Sequence, residues 1–287
     1  MISLNANGSA DQILASAIEL TTSSANSMTI NINATGGLGD VLITGGLTVG
    51  TAWGATSLDI NASASLGSFQ LVASAFAGIM VVDLGNDVGS ANMVRAGTGA
   101  DKLYGGSNGD NFNGGAGADT IYGYAGNDTI EGGVGSDVLY GGEGSDNFHI
   151  SWTNGVSASF SAVQGTGFFD KIMDWGSGDM LYFSGATAFR TWTATTAFNS
   201  ISVATSTLIG AVGDGSQSAT SGLYLSLYQN GGDTYIEITY DALTAGTTNE
   251  LGSAVYRVVL DGVSGWTAIS GNFTFSLTSS GFTIASV

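Results

Sequence analysis

AGTGADKLY GGSNGDNFN GGAGADTIY GYAGNDTIE GGVGSDVLY GGEGSDNFH, residues 96–149, is a run of six consecutive nine-residue units, and its reading decides the fold. Position six is Asp in every unit: Asp101, Asp110, Asp119, Asp128, Asp137 and Asp146. Position eight is always large and apolar: Leu103, Phe112, Ile121, Ile130, Leu139 and Phe148. Gly fills position one in five units and position four in five. A weaker unit precedes them at 87–95, with Asn92 in the Asp slot and Val94 in the apolar slot.

Each slot asks for a particular chemistry. Glycine at positions one, two and four allows a tight turn with its carbonyls facing inward. Asp at position six supplies a hard anionic oxygen. The three residues that follow suit one short strand, with position eight pointing into a core. A loop and a strand make half a coil, so two units complete one turn, and units n and n+2 stack at the ~4.8 Å spacing of neighbouring strands. Asp101, Asp119 and Asp137 then share one edge, and Asp110, Asp128 and Asp146 the other. Carboxylates ~5 Å apart repel by roughly 3 kcal/mol a pair at an effective dielectric of ~20, unless a cation lies between them.

Calcium suits such a site, because it accepts six to eight carboxylate and carbonyl oxygens in flexible geometry. Magnesium wants a stricter octahedron, and zinc wants His or Cys, of which the chain has one and none. The candidate ligands are the six Asp residues and the position-four residues Gly99, Asn108, Gly117, Gly126, Gly135 and Gly144. The pairs 101/119, 119/137, 110/128 and 128/146 define four flanked sites, with partial sites at the ends. About four or more Ca2+ ions are therefore expected, and four would take the formal charge from -18 to -10. A flexible Gly/Asp linker is the competing reading. It gives no reason for a large apolar residue two positions after every Asp.

The rest of the composition fits. The 287 residues hold 46 Gly, no Pro, no Cys and 5 Lys+Arg against 23 Asp+Glu. A net charge of -18 argues against nucleic acid and anionic lipid, which need a basic footprint. Without Cys, neither disulfides nor Cys-based zinc sites stabilise the fold. The N-terminus shows no basic n-region followed by an apolar run, so no Sec signal is visible. No apolar stretch nears the ~20 residues that span a bilayer.

Three domains are read along the chain: an N-terminal β-rich region at 1–86, the roll at 87–149, and a C-terminal β domain at 150–287. Upstream of the roll, strand-like segments at 57–62, 68–73 and 79–84 start at an even spacing, and others lie at 28–33 and 41–44. They suggest solenoid rungs running into the roll, with a small β-sandwich as the alternative. Asp11–Leu20 is the one plausible helix of this part. Downstream, 223–228, 234–240, 255–260 and 273–277 alternate as half-buried strands do, suggesting a sandwich-like cap. The fold class expected is thus all-β, a parallel β-roll or solenoid with Ca2+ between its turns.

These units resemble the RTX (repeats-in-toxin) nonapeptide GGxGxDxUx. Units 114–122, 132–140 and 141–149 match it throughout; Ala96, Asn108 and Tyr124 are departures that leave every Asp in place. The segment from Asp170 to Leu181, DKIMDWGSGDML, is similar to one that follows RTX rolls. That resemblance implies a calcium or rung-capping role for Asp170, Asp174 and Asp179; a plain surface turn is the alternative. Resemblance to RTX proteins also implies type I secretion to the exterior on an uncleaved C-terminal signal, which the uncharged tail after Asp261 would fit. Low cytosolic calcium would keep the chain unfolded for export, and external calcium would fold it.

An RTX roll names no single function. There is no HExxH. A GxSxG string at Gly105–Gly109 lies inside a calcium loop without an evident base, and the only His, His149, ends the last unit. The reading is therefore not an enzyme. Gly/Ala/Ser/Thr richness, with the segment 231–238, resembles RTX-type bacterial surface-layer proteins. That implies a secreted structural protein that self-associates into a layer or array. The alternatives are a calcium-dependent adhesin, with Trp152, Trp175 and Trp192 offered to a cell-surface glycan, and the accessory roll of a secreted enzyme.

Overall fold

A computed structural model of the chain describes residues 57–63, 68–74, 76–85, 91–150, 170–182, 232–236 and 258–263 in full, and elsewhere the backbone of the strands named below. The chain divides into two compact units, Met1–His149 and Ile150–Val287. Among the described residues there are strands and no helix.

In the first unit the strands alternate between two parallel sheets. One sheet takes β1 (Ile2–Asn5), β4 (Ser27–Asn33), β7 (Ser57–Asn61), β9 (Ile79–Asp83), β11 (Lys102–Tyr104), β13 (Thr120–Ala125) and β15 (Val138–Glu143) in that order. The other takes β2 (Ile13–Ala15), β5 (Val41–Ile43), β8 (Phe69–Val72), β10 (Met93–Arg95), β12 (Asn111–Ala116), β14 (Thr129–Val134) and β16 (Asn147–Ser151). A third, small sheet pairs β3 (Ile18–Leu20) with β6 (Leu47–Val49). From β7 to β16 successive strands of the chain fall on opposite sheets, as a coil requires.

The register measures each turn. Lys102 faces Thr120 and Thr120 faces Val138, so each step spans two nonapeptides. Asn111 faces Thr129 and Thr129 faces Asn147, again two units on. Toward the N-terminus the turn lengthens. Ser57 faces Ile79, a step of two of the evenly spaced half-rungs seen in the sequence. Ile2 faces Ile30 and Val41 faces Phe69, and these turns are longer still.

The core is a column of apolar side chains between the sheets. Val94, Leu103, Phe112, Ile121, Ile130, Leu139 and Phe148 are all buried, and Leu58, Leu71, Met80 and Val82 continue the column. Each contributes about 1.5–3 kcal/mol by leaving water. The strand β7 shows the alternation plainly: Leu58 and Ile60 point in, Ser57, Asp59 and Asn61 point out.

The helix expected at Asp11–Leu20 is a correction. Ile13–Ala15 and Ile18–Leu20 are strands, paired in parallel with β5 and β6. β-branched Ile13 and Ile18 favour a pleated partner, and the coil supplies one, which outweighs the weak helical preference of a short segment.

In the second unit β20 (Gly222–Asn230), β21 (Asp233–Asp241) and β22 (Ala254–Leu260) form an antiparallel meander, matching the alternating segments of the sequence. β17 (Asp170–Ile172) joins it in parallel with β22, and β19 (Ala211–Val212) edges it beside β20. β18 (Met180–Ser184), β24 (Gly281–Ser286) and β23 (Phe273–Thr278) form a second antiparallel sheet. Lys171 pairs with Asp261 beside the β17–β22 junction.

Candidate metal centre

The position-six side chains form two columns. In one, the Met80 N–H donates to Asp101 Oδ1 (2.7 Å), the Asp101 N–H to Asp119 Oδ1 (2.7 Å), and the Asp119 N–H to Asp137 Oδ1 (2.8 Å). In the other, the Phe69 N–H donates to Asn92 Oδ1 (2.8 Å) and the Asn92 N–H to Asp110 Oδ1 (2.9 Å). The Asp110 and Asp128 N–H groups continue it to Asp128 and Asp146 Oδ1 (2.7 and 2.8 Å). Each side chain caps a backbone amide one turn earlier. Sequence reasoning saw only stacked charges that repel. The geometry adds charge-assisted hydrogen bonds, each worth about 1.5–3 kcal/mol net, that favour the stack.

The second oxygen is treated differently along the roll. Asp101 Oδ2 accepts the Gly97 N–H (3.2 Å) and Asp110 Oδ2 accepts the Gly106 N–H (2.9 Å). Asp119 and Asp128 Oδ2 are buried and accept no hydrogen bond. They lie against Gly114 and Gly123, the position-one residues of their own units, and Asp137 and Asp146 turn the same atom toward Gly132 and Gly141. At these four glycines a side chain would run into the carboxylate.

Burial pushes Asp119 and Asp128 up to about 7 from the ordinary carboxylate value of 3.8. The Asp101 and Asp110 backbone amides pull them down; neighbouring carboxylates, Asp137 and Asp101 in one column and Asp110 and Asp146 in the other, push them further up. Asp101 is also raised by burial, against the lowering Met80 and Gly97 amides. A desolvated anionic oxygen with no donor is what a hard cation neutralises.

Among the described residues no three His, Cys, Asp or Glu side chains converge. An ion here would therefore take most of its oxygens from the backbone. The loops offer them. Gly117, Gly126, Gly135 and Gly144 each pack on the peptide carbonyl of the position-four residue one turn earlier, respectively Gly99, Asn108, Gly117 and Gly126. Gly117 (φ 132°) shows why glycine is needed: its backbone is left-handed, and a Cβ would overlap the Gly99 carbonyl. Asp carboxylates with loop carbonyls are the donor set calcium prefers, so the candidate ligands fit the ion by chemistry.

Two of the three departures from the repeat, Asn108 and Tyr124, are explained by the backbone. Asn108 is not left-handed, so it needs no glycine there. Tyr124 keeps the turn by adopting φ 74°, close to Gly115, Gly133 and Gly142 at the same slot (96°, 104° and 100°). Ala96 occupies position one of a unit whose Asp101 already takes the Gly97 amide.

The remaining expected residues each have their own surroundings. Asp170 and Asp179 are buried, and Asp179 Oδ2 accepts the Gly176 N–H (2.7 Å) across its own turn, whereas Asp174 is exposed. Ser107 of the GxSxG string is exposed in a roll loop. His149 Nδ1 lies 3.7 Å from Glu131 Oε2 on an outer sheet face. Trp175 is half-buried; Trp152 and Trp192 lie outside the described residues.

Sequence reasoning missed position nine. On one face Tyr104, Tyr122 and Tyr140 stack, with ring centroids 5.3 and 4.4 Å apart, and Tyr124 joins them at 6.0 Å from Tyr122. On the other, Asn113 donates to Glu131 Oε2 (2.7 Å). The signal was present: Tyr ends every second unit of the repeat, at 104, 122 and 140.

A parallel coil of two nonapeptides per turn, with buried carboxylates stacked in its loops, is a calcium β-roll. The family model of the RTX calcium-binding nonapeptide repeat (four copies) matches residues 88–121 and again 113–148, and the roll is of the RTX family. The match reaches back over Asn92, the weaker first unit. No curated protein shows significant similarity to the chain. No helix among the described residues is long and apolar enough to cross a membrane.

Proposed function

We propose that the protein is a secreted, calcium-stabilised structural protein that self-assembles into a cell-surface layer or extracellular array and carries out no catalysis. The RTX repeats indicate a calcium-binding, secreted protein; a type I system is the route this reading assigns. The observation that carries the reading is the periodic exterior of the roll. Asn113 and Glu131 hydrogen-bond across successive turns of one face, and the other face repeats a Tyr at each turn: Tyr104, Tyr122 and Tyr140. A partner meeting such a face meets the same group several times, which suits a repeating assembly. With a net charge of -18, copies associate only after neutralisation, so calcium would serve both folding and contact.

A calcium-dependent adhesin or binding module, including the accessory roll of a secreted enzyme, is the second reading. Tyr124 favours it: it is exposed, holds a left-handed backbone, and stacks on Tyr122 and Tyr104. Strain at an exposed aromatic is a feature of binding sites, and a cell-surface glycan is the partner it suits. Calcium titration followed by light scattering and negative-stain imaging separates the two. Ordered sheets or filaments appearing with calcium support the array. A calcium-folded monomer that binds immobilised glycans moves the assignment to the adhesin.

A further inference from the structure

The two ends of the roll are built differently. In the units beginning at 114, 123, 132 and 141, positions two and four are left-handed: Gly115 and Gly117, Tyr124 and Gly126, Gly133 and Gly135, Gly142 and Gly144. In the units beginning at 96 and 105 they are not, although Gly97, Gly99 and Gly106 could be. There the loop instead turns its position-two N–H onto its own carboxylate, Gly97 onto Asp101 and Gly106 onto Asp110. Asp110 receives a further donor, the Asn92 side-chain amide, at 2.9 Å. Asn92 is itself buried, holding the Phe69 N–H as an Asp would but carrying no charge.

Every carboxylate oxygen of this first turn therefore has a protein N–H, where Asp119 and Asp128 leave Oδ2 without one. We infer that the turn formed by Asn92, Asp101 and Asp110 is a metal-independent cap, folded on the N-terminal rungs through Phe69 and Met80 before calcium arrives, and that calcium adds rungs onto it from Asp119 onward. The amide of Asn92 and the N–H groups of Gly97 and Gly106 do there what the ion does later in the roll. The roll then grows in one direction, from a template that the chain carries with it. This is independent of whether copies assemble.

The test is amide hydrogen exchange on the full chain, at a dilution where scattering shows a monomer, with calcium removed and then restored. Without calcium, the amides of Phe69, Met80, Asn92, Gly97 and Gly106 are expected to remain at least 100-fold protected. Those of Asp110, Asp119 and Asp128, which donate to the later carboxylates, are expected to exchange freely until calcium is added. Uniform loss of protection from 57 to 148 on calcium removal overturns the inference, and so does uniform retention. Asn92→Asp places a second carboxylate on Asp110. It is expected to lower the calcium-free protection of the cap tenfold or more while the calcium-loaded pattern survives. Unchanged calcium-free protection in Asn92→Asp would also overturn it.

Discussion

In the absence of calcium, lowering the pH should fold the roll. Asp119 and Asp128 are held at about 7 by burial, against 3.8 for an ordinary Asp, so ionising each inside the fold costs about 4 kcal/mol. The sign follows from linkage. A carboxyl raised on folding favours the folded state fully below its unfolded value of 3.8, and that contribution is lost as pH rises through about 7. The two groups together withdraw up to about 8 kcal/mol at neutral pH, comparable with the whole stability of a typical domain. Circular dichroism of the calcium-stripped chain should therefore show β-signal rising as pH falls from 7.5 toward 5. Asp119→Asn with Asp128→Asn should supply that signal already at pH 7.5 and flatten the profile, because Asn keeps the Oδ1 acceptor, as Asn92 does. A calcium-free β-signal that stays flat or falls between pH 7.5 and 5 in the parent chain would refute the reasoning.

The packing makes other demands that can be measured. Leu139→Ala, in the fully buried column, should cost about 2–5 kcal/mol in the calcium-loaded state, read from denaturant unfolding. Gly117→Ala forces a Cβ against the Gly99 carbonyl in a left-handed turn; it should weaken calcium-induced folding more than Ser107→Ala in an exposed loop position, as judged by the calcium midpoint. At position 124 the left-handed backbone should make Tyr124→Gly more stable than Tyr124→Ala by about 1 kcal/mol in the same denaturant assay, since both lose the ring stacking and only Ala keeps the strain.

The roll was legible because each nonapeptide holds a complete instruction. Asp101 to Asp146 mark the loops, Leu103 to Phe148 mark the core, and the two-unit register follows from geometry alone. The strands at 223–228 and 255–260 were legible from their alternation, but not their partners: nothing local in Asp170–Ile172 says that it runs parallel to Val258–Leu260. The segment at Ile13–Leu20 misled because its strands exist only through partners a full turn away, at 41–43 and 47–49. The difference between the two ends of the roll was hidden for a subtler reason. Gly97 and Gly115 are the same residue in the same slot, and only Gly115 turns left-handed. A glycine in a sequence states what a backbone can do, and its neighbours in space decide what it does.

The central claim is that buried, stacked Asp carboxylates make the fold of the roll depend on calcium. A calcium titration of the stripped chain at pH 7.5, followed by circular dichroism with the bound ions counted by native mass spectrometry, tests it most directly. A cooperative gain of β-signal as about four or more ions bind to the loops is the result predicted. A chain whose β-signal is already complete without calcium, or does not change when calcium is added, would contradict it.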